Sequence, residues 1–217
     1  QRGIGTSVNG SSAFGASINI LTDKISEKSF FESSNTVGSF NTVKNNFKFS
    51  TGLLNNAFEF SGRLSKIDSD GYIDRASSDL KSYYIQLTYK KNKTLLKFIN
   101  FGGQEITYQA WNGIDLLTLE NNRTYNPSGF YYDLDGNERF HENEVDNYKQ
   151  DHFQFHWTQS ISNNFTSSLG LNLTNGKGAY EQYNENGSQD FITRKWLDNQ
   201  FYVINFNLNY SKKKSNL

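Results

Sequence analysis

Phe201 to Tyr210 reads FYVINFNLNY. Its even positions hold Tyr202, Ile204, Phe206, Leu208 and Tyr210, and its odd positions include Asn205, Asn207 and Asn209. A period of two belongs to an extended strand, whose successive side chains point to opposite faces. Phe165 to Thr174, FTSSLGLNLT, repeats the pattern, with Phe165, Leu169, Leu171 and Leu173 opposed to Thr166, Ser168, Asn172 and Thr174. In Tyr83 to Tyr89 the face of Tyr83, Ile85, Leu87 and Tyr89 opposes Tyr84, Gln86 and Thr88. Aromatic residues bracket that face at both ends, as they do on strands whose ends meet two membrane interfaces. Asn46 to Leu53, Ala57 to Ile67 and His152 to Thr158 alternate in the same way. Glu27 to Ser39 reads as a strand from its position. Thr94 to Phe101 has adjacent Leu95 and Leu96 and leaves its register open.

The composition agrees with strands of one apolar and one wet face. Hydrophobic residues make up 35% of the 217, yet aromatics make up 16%, which argues against disorder. Formal net charge is zero, with 22 basic and 22 acidic residues. Nucleic acid is not an expected partner, because that needs a basic patch or stripe. Lys212-Lys213-Lys214 reads as a solvated charge run. Cysteine is absent, which removes a disulfide framework and thiolate metal ligation. No apolar run approaches the ~18 residues of a membrane-spanning helix. The first residue is Gln1, and the opening reads as the interior of a longer protein.

The connections carry as much information as the strands. Asn55-Asn56, Lys91 to Lys93 and Ser162 to Asn164 read as tight turns. Asp68 to Asp79, Gln104 to Asn147 and Gly176 to Asp198 read as long loops, in strict alternation with the turns. Tight turns at one end and long loops at the other mark an outer-membrane barrel. Pro127, the single proline, falls in the longest loop, so no strand loses a ladder hydrogen bond to proline. The expectation is an all-β chain: about eight antiparallel strands of a larger transmembrane barrel.

The opening, QRGIGTSVNGSSAFGASINILTDK, resembles the end of the plug domain of TonB-dependent outer-membrane receptors. An Arg-Gly pair, Arg2-Gly3, leads a Gly/Ser-rich turn into Ala16 to Ile20. EITYQAWNGID (Glu105 to Asp115), NRTYNP (Asn122 to Pro127) and TNGKGAYEQY (Thr174 to Tyr183) are similar to loop regions of one branch of that family. The resemblance implies a barrel of about 22 strands with a plugged lumen. Residues 1–24 would be the end of the plug and residues 25–217 the first part of the barrel. It further implies residence in the outer membrane of a Gram-negative bacterium, contact with its lipid, and coupling to TonB through a more N-terminal segment. The substrate would be scarce, such as a ferric siderophore or another iron chelate, with glycans and cobalamin open. Arg2, beside Gly3, is a candidate for a plug-to-barrel ion pair, and solvation in the lumen is the plainer alternative. A passive porin or a surface-exposed β binding protein is the rival class.

Candidate sites are few. His152 and His156 share a strand face but stand about 13 Å apart at ~3.3 Å per residue, too far to share one metal ion. His141 is a lone loop histidine. Asp133 to Glu138 hints at calcium but lacks the twelve-residue spacing of an EF-hand, and Asp135-Gly136 reads better as a hairpin turn. No nucleophile, base and carboxylate set appears, so neither an enzyme nor a resident cofactor is expected. Tyr108, Trp111, Asn112, Tyr125, Tyr131 and Tyr132 crowd the longest loop, and Tyr180 and Tyr183 lie in the next. Such rings offer rigid contact area with a polar tip. They serve either ligand contact or packing of the loop on itself.

Overall fold

The computed structural model describes residues 25–183 and 192–211. Eight strands form one antiparallel sheet in the order β1-β2-β3-β4-β5-β8-β9-β10. Their bounds are Phe30–Val37, Val43–Ser50, Phe58–Ser69, Ser78–Lys91, Thr94–Tyr108, Val145–Ser160, Phe165–Tyr183 and Ile192–Tyr210. A short helix, α1 (Leu116–Asn121), and a small hairpin, β6 (Phe130–Tyr132) with β7 (Glu138–Phe140), lie in the connection between β5 and β8. The all-β meander expected from the alternation is the observed architecture. The resemblance to a plug end, with Arg2 and Gly3, lies outside the described residues.

The register sorts side chains into two continuous faces. One row runs Phe60, Leu87, Phe98, Phe155, Leu171, Ile204 from β3 to β10, each residue paired with the next. The row beside it runs Phe58, Tyr89, Leu96, Trp157, Leu169, Phe206. The opposite face carries rows such as Glu32, Lys48, Arg63, Tyr84, Phe101, His152, Thr174. The apolar face is open: Ile204 is 76% exposed and Phe206 64%. Among the described residues the buried hydrophobic residues are Ala57, Ile99 and Tyr108 alone. A water-soluble sheet of this size would cover such a face with a second layer; among the described residues this sheet has none. No described helix is long and apolar enough to cross a membrane.

The register also resolves β5. Leu96 and Phe98 lie on the apolar face, while Leu95, Lys97 and Ile99 lie on the other. The adjacent Leu95 and Leu96 therefore point to opposite sides. Ile99 is buried on the polar face between Gln86 and Gln154, its partners across the sheet.

Three loop boundaries differ from expectation because pairing continues past the alternating segments. β5 runs to Tyr108 and β8 begins at Val145, so the longest connection is 109–144. β9 runs to Tyr183 and β10 starts at Ile192, where a loop from Gly176 to Asp198 was expected. β3 runs to Ser69 and β4 begins at Ser78. At ~3.3 Å per residue the 19 residues of β9 extend about 60 Å, well beyond an apolar band ~25 Å tall. β9 thus outruns its alternating segment, and past Thr174 polar residues predominate. The tight turns stand at the other end, with Asn55, Asn56 and Asn92 at φ of 48°, 52° and 52°. Asparagine tolerates this left-handed region better than most residues. The alternation of turn and loop lengths is looser than expected, because β1 and β2 join through the short connection 38–42 at the long-loop end.

Candidate functional site

The connection 109–144 folds back over the strand ends and is held by a polar core. Its centre is Arg75, in the 70–77 connection, at φ 61°. The guanidinium donates to the carbonyls of Asn126 and, at 3.2 Å, of Ser128. It also stands over the Phe140 ring at 3.7 Å and the Tyr108 ring at 5.7 Å. Asn126 is 1% exposed and spans three segments. Its amide donates to the carbonyls of Asp74 (3.0 Å) and Gln109 (2.9 Å), and its Oδ1 accepts from the Ser128 amide (3.0 Å). Gln109 ties the loop to β9 through a 2.7 Å bond to the Glu181 carbonyl. A buried polar group costs free energy unless partnered, so this network gives the loop a defined seat.

Two local structures stiffen the rest of the connection. Asp115 caps α1, accepting from the Thr118 amide at 2.9 Å. That backbone bond, helped by the Thr118 hydroxyl, holds the Asp115 carboxyl below its ordinary range. Asp133 closes the β6–β7 hairpin, accepting from the amides of Asn137 (2.8 Å) and Asp135 (3.0 Å). Its carboxyl is lowered too, first by the Asn137 amide. Gly136 takes φ 78° in this turn, so the Asp-Gly signal is a hairpin signal, and the Asp133 oxygens are occupied by the turn and by Arg139. No grouping of three or more potential metal ligands occurs among the described residues.

The aromatic candidates divide into two kinds. Tyr108 is 7% exposed, and its hydroxyl donates to the His141 carbonyl at 2.6 Å, with the Ser128 carbonyl within reach at 3.2 Å. It supports the loop from beneath. Tyr125 meets Phe140 edge-on at 6.4 Å, and Asn112 donates to the Ser128 hydroxyl at 3.1 Å. Trp111 (60% exposed) and Tyr132 (62% exposed) face outward. Trp111 meets Tyr180 edge-on at 6.1 Å. His141 is not the isolated loop residue its sequence position suggested: its imidazole lies between Tyr131 (4.2 Å) and Tyr183 (3.4 Å), nearly parallel to both. This stack joins the loop hairpin to the end of β9. The structure thus gathers Tyr131, Tyr180, Tyr183 and Trp111 at one end of the sheet. His152 and His156 lie on the polar sheet face. His152 bonds Thr174 at 2.9 Å and stacks on Phe101 at 4.4 Å.

Arg75, Gln109, Asn126 and Ser128 were not singled out in the sequence. Only the Asn126-Pro127-Ser128-Gly129 turn signal marks the place; Arg75 lies in an ordinary loop, and its importance comes from contacts 51 and 53 residues away.

Among solved structures, the chain is similar to the ferric-catecholate import receptor Fiu of Escherichia coli K12 in its closed form, with a TM-score of 0.64 at 14% identity. The match covers 94% of this chain and 31% of that one, so the chain spans about a third of that receptor's length. At this identity the likeness establishes the fold, part of an antiparallel β-barrel. No protein-family model and no curated protein matches the chain.

Proposed function

We propose that the chain is the plug end and first third of the barrel of a TonB-dependent outer-membrane receptor that imports a scarce substrate, an iron chelate of the ferric-siderophore kind. The observation that carries the reading is the two-faced sheet: a continuous apolar face with no covering layer, a polar face behind it, and a folded aromatic loop at one end. The similarity to Fiu, itself a ferric-catecholate import receptor, supports the same reading, as does the resemblance of Arg2 to Lys24 to a plug end. Both outer strands, β1 and β10, leave an edge unpaired in the described sheet. Unpaired edges are not tolerated in hydrocarbon, so the working barrel includes further strands.

In this reading the polar face lines the lumen, and the loop 109–144 stands at the external mouth. Trp111, Tyr131, Tyr132, Tyr180 and Tyr183 present ring faces and hydroxyls there, which suits a planar aromatic chelate. Tyr108 and Asn112 hold the loop in place beneath them. The metal arrives as cargo within the ligand. Energy comes mechanically through TonB, because the outer membrane has no ATP supply of its own, and Arg2 beside Gly3 is the candidate ion-pair contact between plug and barrel.

The test is uptake of radiolabelled iron, offered as a panel of ferric siderophores to iron-starved cells with and without the full-length gene. Gene-dependent uptake abolished by a protonophore supports energised iron transport and identifies the chelate. No gene-dependent uptake across the panel, with the protein present in the outer membrane, refutes the iron assignment and turns the question to glycans and cobalamin.

A further inference from the structure

The chain does not enter β1 from directly beneath it. Phe30 opens β1 opposite Ser50 of β2, and Ser50 in turn faces Ser61 of β3. Just upstream, the Ser26 amide donates to Glu59 Oε1 at 2.9 Å, and Glu59 belongs to β3. Segment 26–29 therefore runs sideways across the end of β2, on the polar face that carries Ser50 and Glu59. The crossing is built around Gly52, at φ 68°. A Cβ there would stand 2.7 Å from the Lys28 carbonyl carbon and 2.7 Å from the Ser29 nitrogen, so the bare backbone of glycine is what lets the two segments touch. The Leu53 amide reaches the Glu27 carbonyl at 3.4 Å, and Ser26 Oγ donates to the Lys28 carbonyl at 2.7 Å. Residues 26–29 thus form a strap seated across two strands.

The pin at the end of the strap is a buried carboxylate. Glu59 is 3% exposed and Ser50 4%. Besides Ser26, Glu59 Oε1 accepts from the Ser50 hydroxyl at 2.8 Å, and Ser50 Oγ accepts from the Gly52 amide at 3.0 Å. Glu59 Oε2 is buried with no hydrogen-bond partner among the described residues. An unpaired buried oxygen costs stability, and a glutamine would keep the Oε1 contacts without burying a charge. What the carboxylate adds is grip, because hydrogen bonds to a charged acceptor are roughly twice as strong as neutral ones. The site thus favours its hold on Ser26 over the stability of the strand that carries it.

Residues 1–24 precede the strap, and in the reading above a pull on the N-terminal segment reaches the barrel through it. Without the pin, that pull would fall on the first ladder bonds of β1, one pair after the next. With it, the pull is delivered to β3, which is paired on both sides. We propose that the strap 26–29 and its pin, Glu59 with Ser50, are a mechanical stop that lets upstream residues be drawn out while β1 stays in register. Glu59 is a positioning residue in this role. The proposal rests on the energy coupling of the transport reading above and not on its cargo.

The test is constant-force stretching, in magnetic tweezers, of the full-length receptor in a lipid bilayer, pulled from its N-terminus on the periplasmic side. The native chain should lengthen and then hold, and release of the strap should show as a further step of up to about 14 Å, residues 26–29 at ~3.3–3.6 Å each. Glu59→Ala is expected to shorten the hold at a given force about ten- to hundredfold, and Glu59→Gln about fivefold. Glu59→Gln should nevertheless unfold at an equal or higher guanidinium concentration, since it buries no charge. Ile204→Lys, on the apolar face of β10, should lower stability and leave the hold unchanged. Heat-modifiable gel mobility reports whether each barrel is folded; if Glu59→Ala is not, Glu59→Gln carries the comparison. An unchanged hold in Glu59→Gln overturns the proposal, and so does a hold that Ile204→Lys shortens as much. Capture on the periplasmic domain of TonB separates the two readings. A receptor that is not captured fails both, whereas one that is captured and holds regardless of Glu59 fails this inference alone.

Discussion

Ile204 and Asn205 are neighbours on β10 with opposite fates, and placing the same charge at each tests the two-faced sheet directly. Ile204 belongs to the row that includes Leu171, Phe155 and Phe98. Apolar rows continue on both sides of it on β10, through Tyr202 and through Phe206 and Leu208. That position lies one same-face residue from Phe206, the centre of the apolar run Tyr202 to Tyr210. Lysine at a bilayer midplane costs ~2–4 kcal/mol in a β-barrel, and lumen-facing substitutions cost little. Ile204→Lys should therefore destabilise the full-length barrel by about 2–4 kcal/mol, a factor of about 30 to 800 in the folding equilibrium. Asn205→Lys should cost less than ~1 kcal/mol, because its face meets water in the lumen. The assay is guanidinium unfolding in lipid vesicles followed by tryptophan fluorescence. Equal costs for the two variants, or a larger cost for Asn205→Lys, would refute the assignment of faces.

Three further outcomes follow from the loop and strand geometry. Arg75→Ala removes charge-assisted bonds to two carbonyls and the stack on Phe140. Each such bond is worth ~1.5–3 kcal/mol, so limited proteolysis should cut within 109–144 while the barrel keeps its heat-modifiable mobility. Arg75→Lys should not restore protection, because an ammonium lacks the planar fork. Gly178→Val should distort the outer ends of β8 and β9, since its Cβ would stand 2.7 Å from Tyr148 Cα; hydrogen exchange at 145–149 should rise, and unchanged protection would show that the strands separate freely there. The lowered Asp115 carboxyl makes the α1 cap pH-dependent. A carboxyl depressed in the folded state contributes its stability above the ordinary carboxylate pKa and loses it as pH falls through the depressed value. Amide exchange at 117–119, corrected for intrinsic rates, should therefore accelerate in strong acid in the native chain and be pH-independent in Asp115→Ala.

The strand face was legible in the sequence wherever alternation was clean. FYVINFNLNY and FTSSLGLNLT become paired segments of β10 and β9, in the faces their spacing requires. Alternation fails as a guide where both faces of a strand are polar. β9 beyond Thr174 reads NGKGAYEQY, a loop-like composition, yet it pairs with β8 as far as Tyr180 and with β10 as far as Tyr183. Glycine is needed there by crowding: a Cβ at Gly178 would press on the β8 backbone. The same glycines that mark turns in soluble chains here mark the close approach of extended strands. β5 hid its register for a different reason. Ile99 is an apolar residue on the polar face, buried between neighbouring strands, and only the partners reveal which of Leu95 and Leu96 lies on the apolar face.

The site was legible as residue types but not as roles. Tyrosine and tryptophan in one loop announce either contact or packing, and nothing local separates the two. What separates them is Arg75. By seating Asn126 and Ser128 and stacking on Phe140, it draws the loop onto Tyr108, whose hydroxyl is then committed to the His141 carbonyl. The support beneath the loop leaves Trp111 and Tyr132 outermost and fastens Tyr131 to Tyr183 through His141. A ligand-contacting surface gains affinity when its rings are fixed before the ligand arrives, because less ordering entropy is lost on binding. The proposed role of the loop therefore depends on a polar core that touches no ligand. Tyr108→Phe tests this: it keeps the ring and removes the hydroxyl's bond to the His141 carbonyl, so ligand affinity should fall by about two- to tenfold, with Trp111→Ala losing affinity in the same assay. If Tyr108→Phe leaves affinity unchanged while Trp111→Ala abolishes it, contact does not depend on the polar core, and the coupling argued here is wrong.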